Sequence, residues 1–196
     1  VIRQLEQLAP EEQHVLEVAS VAGTAFAVAA VAAAVQRSVA EVEEQCALLA
    51  RRQQFLRACG SDAWPDGTLA TRYAFDHAMY RETLYERLPA GQRRLWHQQI
   101  GTRLEAGYGV RAQELAVELA EHFVRGGAPM AAVQYLALAA EQGLQRSAYG
   151  EALQHLEQAF VLLPQLPESP ARTRHALMLH LNQGRAFIVT QGYAAH

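Results

Sequence analysis

The sequence predicts a mainly α chain, in which three helices lead into a β-hairpin and an antiparallel helical array follows. Three observations predict it. Apolar residues recur at helical spacing over most of the chain. One stretch, Gln54 to Leu88, switches to a period of two and then back. Alanine also carries much of the apolar content, which favours closely packed helices.

The elements follow in order. Val1 to Leu8 is a short amphipathic segment. Pro10-Glu11-Glu12 is a good helix start, because proline suits the first helical position and carboxylates complement the helix dipole. Val15, Leu16, Ala19 and Ala22 give that helix its buried face, and Gly23 ends it. A second helix, Ala27 to Gln36, is nearly all alanine and valine and is expected to be buried on several sides. Ser38 caps a third helix and Glu41 completes a capping box. Val39, Val42, Cys46 and Leu49 form its inner stripe, with Glu41, Glu43 and Glu44 outside.

Next comes the hairpin. Leu69, Thr71, Tyr73 and Phe75 alternate with Ala70, Arg72, Ala74 and Asp76, as a half-buried strand requires. Gln54 to Cys59 supplies the partner strand, and Trp64-Pro65-Asp66-Gly67 supplies the turn. At His77 the period becomes helical again, with Tyr80, Leu84 and Leu88 in register. Three helices followed by a two-stranded wing is the order of a winged-helix domain.

Beyond Pro89-Ala90-Gly91 a longer helix places Trp96, Ile100 and Leu104 on its inner face and ends at Gly107-Tyr108-Gly109. Leu115, Leu119 and Phe123 mark the next helix, closed by Gly126-Gly127, and another runs from about Pro129 to Arg146. Between Ser147 and Phe160, Ala152 and Ala159 flank Leu156, and Pro164 follows. This matches the second helix of a tetratricopeptide repeat, whose alanines let neighbouring helices cross closely. The alternative is an ordinary alanine-rich bundle. Ser169-Pro170 starts a further helix to about Thr190, and Gly184 and Tyr193 fit one more repeat. The expected organisation is a winged-helix-like domain at residues 1–90 with its wing at about 54–76. A connecting helical hairpin spans 91–127, and TPR-like repeats fill 128–196, the last truncated. The abrupt start and end read as a piece of something longer.

Charge narrows the function. All 17 basic residues are arginine and the formal net charge is −3. Residues 1–90 hold 8 Arg against 12 acidic residues, a net of −4, and the remainder holds 9 against 8, a net of +1. Neither half is the basic body that grips phosphate backbones. The acidic outer face of the third helix and Asp62 and Asp66 near the hairpin tip also argue against DNA reading. Cys46 and Cys59 are too few for a disulfide framework and read as free thiols in a reducing cytoplasm. The longest apolar run, Ala25 to Val35, is too short to span a bilayer.

No nucleotide-binding, metalloprotease, serine-hydrolase or CxxC motif occurs. His14, His97, His122, His155, His175 and His180 are scattered over helices and read as structural residues. The expectation is a segment with no catalytic residue, no metal site and no cofactor of its own.

The runs Gln54-Phe55-Leu56-Arg57, Trp64-Pro65-Asp66-Gly67-Thr68, Tyr73-Ala74-Phe75-Asp76-His77-Ala78-Met79-Tyr80 and Leu84-Tyr85-Glu86-Arg87-Leu88 resemble the region after the ATPase module of bacterial STAND-type signalling ATPases. Arg93-Arg94-Leu95-Trp96-His97 and Leu104-Glu105 resemble the segment that follows there. The resemblance implies a regulatory piece of an ADP/ATP-binding parent ATPase, which is fused to a nucleotide cyclase, a kinase or a transcriptional domain. By position His77 matches the histidine that contacts the ADP phosphates in that family, with the upstream module in place. Here Asp76 precedes it and Ala78 follows, so the acidic neighbour lies on the opposite side from the Met-His-Asp pattern. The alternative for His77 is a bond to a backbone carbonyl at the junction. The implied partners are the upstream nucleotide-binding module and an unidentified protein or small-molecule ligand at the repeats, with no membrane. The other functions weighed are a DNA-binding winged-helix fragment of a transcriptional regulator and a helical-repeat scaffold.

Overall fold

Pro10 opens α1 (Pro10–Ala22), where the Ala9 N–H donates to the Glu12 carboxylate at 3.1 Å, and Gly23 closes it at φ 134°. A short strand, β1 (Ala25–Ala27), precedes α2 (Val28–Val35), and α3 (Val39–Arg51) follows. The structure, a computed structural model, describes Leu5, residues 7–52 and residues 55–191. Residues 1–4 and 6 of the expected Val1–Leu8 segment, Gln54 at the start of the hairpin and Tyr193 of the last expected repeat lie outside the described residues. What is described is mainly helical, with a small three-stranded antiparallel sheet.

The capping box forms as expected. The Ser38 hydroxyl accepts the Glu41 N–H at 3.3 Å, and the Glu41 carboxylate accepts the Ser38 N–H at 3.0 Å and the hydroxyl at 2.7 Å. The hydrogen bond from the Ser38 hydroxyl holds the Glu41 carboxyl below its ordinary range, with the backbone bond and Arg37 adding to it. On α2, Val28, Ala29, Ala30, Val31, Ala32 and Ala34 are all buried. That helix packs on α1, on α3 and on β3, because small side chains let each neighbour approach.

The hairpin is β2 (Leu56–Ala63) and β3 (Leu69–Phe75), with β3 central in the order β1-β3-β2. Phe26 faces Tyr73 across one ladder and Leu56 faces Phe75 across the other. β2 runs four residues past the expected Cys59, through a bulge between Ala58 and Ser61 where Gly60 takes φ 96°. The simple alternation along β3 does not hold. Leu69 is exposed, whereas Ala70, Tyr73, Ala74 and Phe75 are buried. Packing of α2 on β3 accounts for part of this, and the unpredicted β1 pairs along the edge at the same end of β3. A three-residue strand inside an Ala/Val run has too little pattern to stand out from the helix behind it.

β3 leads into α4 (Ala78–Arg87) and then α5 (Ala90–Tyr108), whose Trp96, Ile100 and Leu104 are buried as expected. A 3-10 stretch, Gly109–Leu115, precedes α6 (Ala116–Gly126), α7 (Pro129–Gln145) and α8 (Tyr149–Leu162). A second 3-10 turn, Leu163–Gln165, then leads to α9 (Pro170–Gln191). The chain forms two compact units, one ending at Ala112 and the other beginning at Gln113.

In the second unit α7 packs on α6 and α8, and α9 packs on α7 and α8. Ala152, Leu156 and Ala159 of α8 are fully buried. A Cβ at Gly143 of α7 would stand 3.1 Å from the Ala152 Cβ, so the two helices cross about as closely as side chains allow. Ala152→Leu is therefore expected to destabilise this unit by about 1–3 kcal/mol through overpacking. Gly184→Ala in α9, where a Cβ would meet nothing within 4 Å, is expected to stabilise it by up to about 1 kcal/mol. Urea denaturation followed by circular dichroism reads both signs.

Candidate functional site

The β3–α4 junction is assembled from three separated parts of the first unit. The Phe75 N–H donates to the Thr24 carbonyl at 2.9 Å and the Asp76 N–H to the Phe55 carbonyl at 2.9 Å, so both neighbouring segments fix the end of β3. Phe55 adopts φ 68°, a left-handed conformation that costs a non-glycine residue about 1 kcal/mol or more. Its ring is buried edge-on to Tyr80 of α4 at 4.8 Å, which retains that conformation. Phe26 meets Phe75 at 6.0 Å between ring centroids and completes the apolar backing.

His77 stands on this platform as the N-cap residue of α4, with φ −134° and ψ 133°. Its backbone carbonyl accepts the Tyr80 N–H at 3.1 Å, and its ring lies 5.7 Å from the Tyr80 ring. The imidazole is exposed and makes no capping hydrogen bond, so the first turn of α4 keeps N–H groups pointing outward beside it. A helix start with an exposed imidazole is an electropositive corner suited to an anion.

Beside the junction an open groove of about 680 Å³ runs between α3 and the hairpin, lined by Arg51, Arg57, Tyr73 and Asp76 over Leu56. Burial, and then the nearby Cys46 and Glu43, push the Tyr73 phenol upward. Burial pushes the Cys46 thiol up to about 12, which keeps it protonated and unreactive. Cys46 is buried and Cys59 exposed, and neither is in a disulfide.

Several arginines of the first unit are engaged within it. Arg52 pairs with Glu12 at 2.9 Å, Arg72 with Asp62 at 3.1 Å, and Arg37 approaches Glu11 and Glu41 at 3.9 Å each. Glu43 accepts a hydrogen bond from the Thr71 hydroxyl, while Glu41 and Glu44 are exposed. The outer side of α3 is thus mainly acidic.

The hairpin tip is clasped rather than projecting. Trp64 is 3% exposed, and its ring lies over α5 where Gly107 leaves space. A Cβ at Gly107 would fall 2.3 Å from the Trp64 Cε3 atom. The Arg103 guanidinium stacks over the indole at 4.7 Å, donates to Asp66 at 3.0 Å and to the Thr68 hydroxyl at 2.8 Å. The Asp66 N–H adds a bond to the Gly107 carbonyl at 3.1 Å. Hydrogen bonds from Thr68, and then Arg103, hold the Asp66 carboxyl low. The turn itself forms as expected, with the Gly67 N–H bonded to the Trp64 carbonyl at 2.9 Å and Gly67 at φ 86°.

This clasp was missed in the sequence, where Trp64 reads only as a turn residue and Gly107 only as a helix terminator. The available signal was a large aromatic in a turn, which needs somewhere to bury its ring. The other histidines are placed apart. His97 is buried against the Tyr85 hydroxyl at 3.0 Å, His14 lies edge-on to Trp96 at 5.5 Å, and His180 faces Phe160 at 4.9 Å. Among the described residues, no group of three or more His, Cys, Asp or Glu converges on a metal-sized site. No described helix is long and apolar enough to cross a membrane.

No family model matches the chain, and no solved structure matches it. An uncharacterized protein of Rhizobium meliloti (strain 1021) is 32% identical over 125 residues, which is 64% of this chain and 12% of that protein. The chain therefore spans about an eighth of the relative it matches.

Proposed function

We propose that this chain is a non-catalytic regulatory segment of a STAND-type ATPase, passing the nucleotide state of an upstream module to a helical-repeat sensor. The observation that carries this reading is His77, an exposed imidazole with no capping hydrogen bond, held at the start of α4 on a rigid aromatic platform. Such a residue suits contact with an ADP phosphate presented by a neighbouring module. The element order α1-β1-α2-α3-β2-β3 supports a winged-helix assignment for the first unit. The close crossing at Gly143 and Ala152 supports TPR-like packing in the second. Two unpaired cysteines fit a cytoplasmic setting. The hairpin tip held by Trp64 and the acidic outer side of α3 oppose duplex binding, so the wing acts as a joint. ADP and ATP belong to the parent protein, and the repeats receive a protein or small-molecule ligand. The test is the ADP that co-purifies with the full-length protein carrying His77→Ala. Loss of bound ADP supports the role, and undiminished ADP removes it.

A further inference from the structure

α9 of the second unit carries apolar residues on two opposite sides. Leu179, Asn182 and Ala186 are buried where it packs on α7 and α8. By helical geometry Leu177, Leu181, Gly184 and Ile188 fall on the side directly opposite. There Leu177 is 59%, Leu181 56% and Ile188 46% exposed, and a Cβ on Gly184 would meet nothing within 4 Å. The spacing of four, three and four residues is that of a helix-pairing seam, in which Gly184 leaves a hole for a facing side chain.

Charge narrows what can cover this seam. α9 contains three arginines and no Asp or Glu. Arg172 approaches Glu168 at 3.9 Å, whereas Arg174 and Arg185 have no ion pair among the described residues. These two lie along one flank of the seam, eleven residues or roughly 16 Å apart. A second copy of α9 would bring no carboxylate to either arginine and, laid antiparallel, would set the two arginine flanks together. A bilayer also fits poorly. Arg185 lies between the seam and the exposed Met178 and Val189, within the apolar surface rather than at its border. We infer that this face docks an amphipathic helix of a partner protein, whose apolar seam is flanked on one side by acidic residues eleven positions apart that meet Arg174 and Arg185. The inference rests on the sensor role given above to the second unit. Its test uses no nucleotide, so its failure is distinct from failure of the His77 contact.

The probe is a fluorescently labelled helical peptide with leucines along one seam and two glutamates eleven residues apart on its flank. A control peptide carries lysines in place of the glutamates. Fluorescence anisotropy with the native chain is expected to show saturable binding of the glutamate peptide. The lysine peptide should bind about 5-fold more weakly at low salt, a gap that narrows as salt rises. Leu181→Glu, at an exposed position, should abolish binding with an unchanged melting temperature. Joint Arg174→Glu and Arg185→Glu substitution should invert the preference between the two peptides, which apolar adhesion alone would not do. Absence of saturable binding, equal affinity for the two peptides, or a preference that survives the charge reversal would each overturn the assignment. A concentration-dependent dimer in sedimentation that Leu181→Glu abolishes would overturn it in favour of a second copy. Cosedimentation with phosphatidylserine vesicles that Leu181→Glu abolishes would overturn it in favour of a membrane surface.

Discussion

Replacing Trp64 with alanine is expected to cost the first unit about 3–5 kcal/mol, the largest effect of any single substitution considered. The ring is 3% exposed, so its removal leaves a cavity, and it takes with it the Arg103 stacking at 4.7 Å. That loss is a large share of the roughly 5–15 kcal/mol by which domains are stable. Gly107 gives the sharper test. An alanine inside a helix normally stabilises by about 1 kcal/mol over glycine. Here the added methyl would stand 2.3 Å from the Trp64 ring, so Gly107→Ala is expected to destabilise. In a Trp64→Ala background the ring clash is gone and only the flexible end of Arg103, whose Nη1 would stand 2.7 Å from the methyl, has to shift, so Gly107→Ala should cost clearly less than in the native chain. The two substitutions are therefore strongly non-additive, which a double-mutant cycle by urea denaturation measures directly. A stabilising Gly107→Ala in the otherwise native chain would mean that the ring does not lie on α5.

His122 is expected to make the second unit acid-sensitive. It lies on α6 at 3% exposure, and burial, with a smaller contribution from Arg125, lowers its pKa to about 4. The folded pKa lies below the unfolded value of about 6.5, so the unfolded chain binds the proton first as pH falls. Stability is then lost from about pH 6.5 downward and levels off below about pH 4, with roughly 2 kcal/mol lost between pH 7 and pH 5. His155 adds in the same direction, because burial lowers its pKa too. Urea midpoints of the native chain and of His122→Gln across that range isolate the His122 share. The variant should lose less stability on acidification, and parallel pH profiles would show that His122 is not the source.

Much of the fold was legible because local chemistry decided it. Pro10, the Ser38–Glu41 box, Gly67 in its turn and Ser169-Pro170 each fix a boundary through backbone geometry that neighbouring residues alone determine. The buried positions Val42, Cys46 and Leu49 likewise followed from helical spacing. What was not legible depends on partners distant in sequence. β1 is three residues long and exists because β3 offers it a ladder. The docking of Trp64 needs Gly107, forty-three positions later, to lack a side chain. His122 and His155 looked alike as scattered histidines, and only tertiary packing separates a buried imidazole from one that lines a groove.

For the candidate site, the sequence located His77 at the helix start, and the structure adds its exposure and the aromatic platform of Phe55 and Tyr80. It also places Arg51 and Arg57 on the neighbouring groove with Asp76, a set that the linear order did not bring together.

The proposed role of His77 turns on a single quantity, the rate at which ADP leaves the full-length protein, followed by stopped-flow displacement of a fluorescent ADP. One charge-assisted hydrogen bond to a phosphate accounts for roughly a 10-fold change or more. His77→Ala is expected to release ADP at least that much faster, with its melting temperature in the absence of nucleotide unchanged. An unaltered release rate in His77→Ala would contradict the reading of this junction as a nucleotide contact.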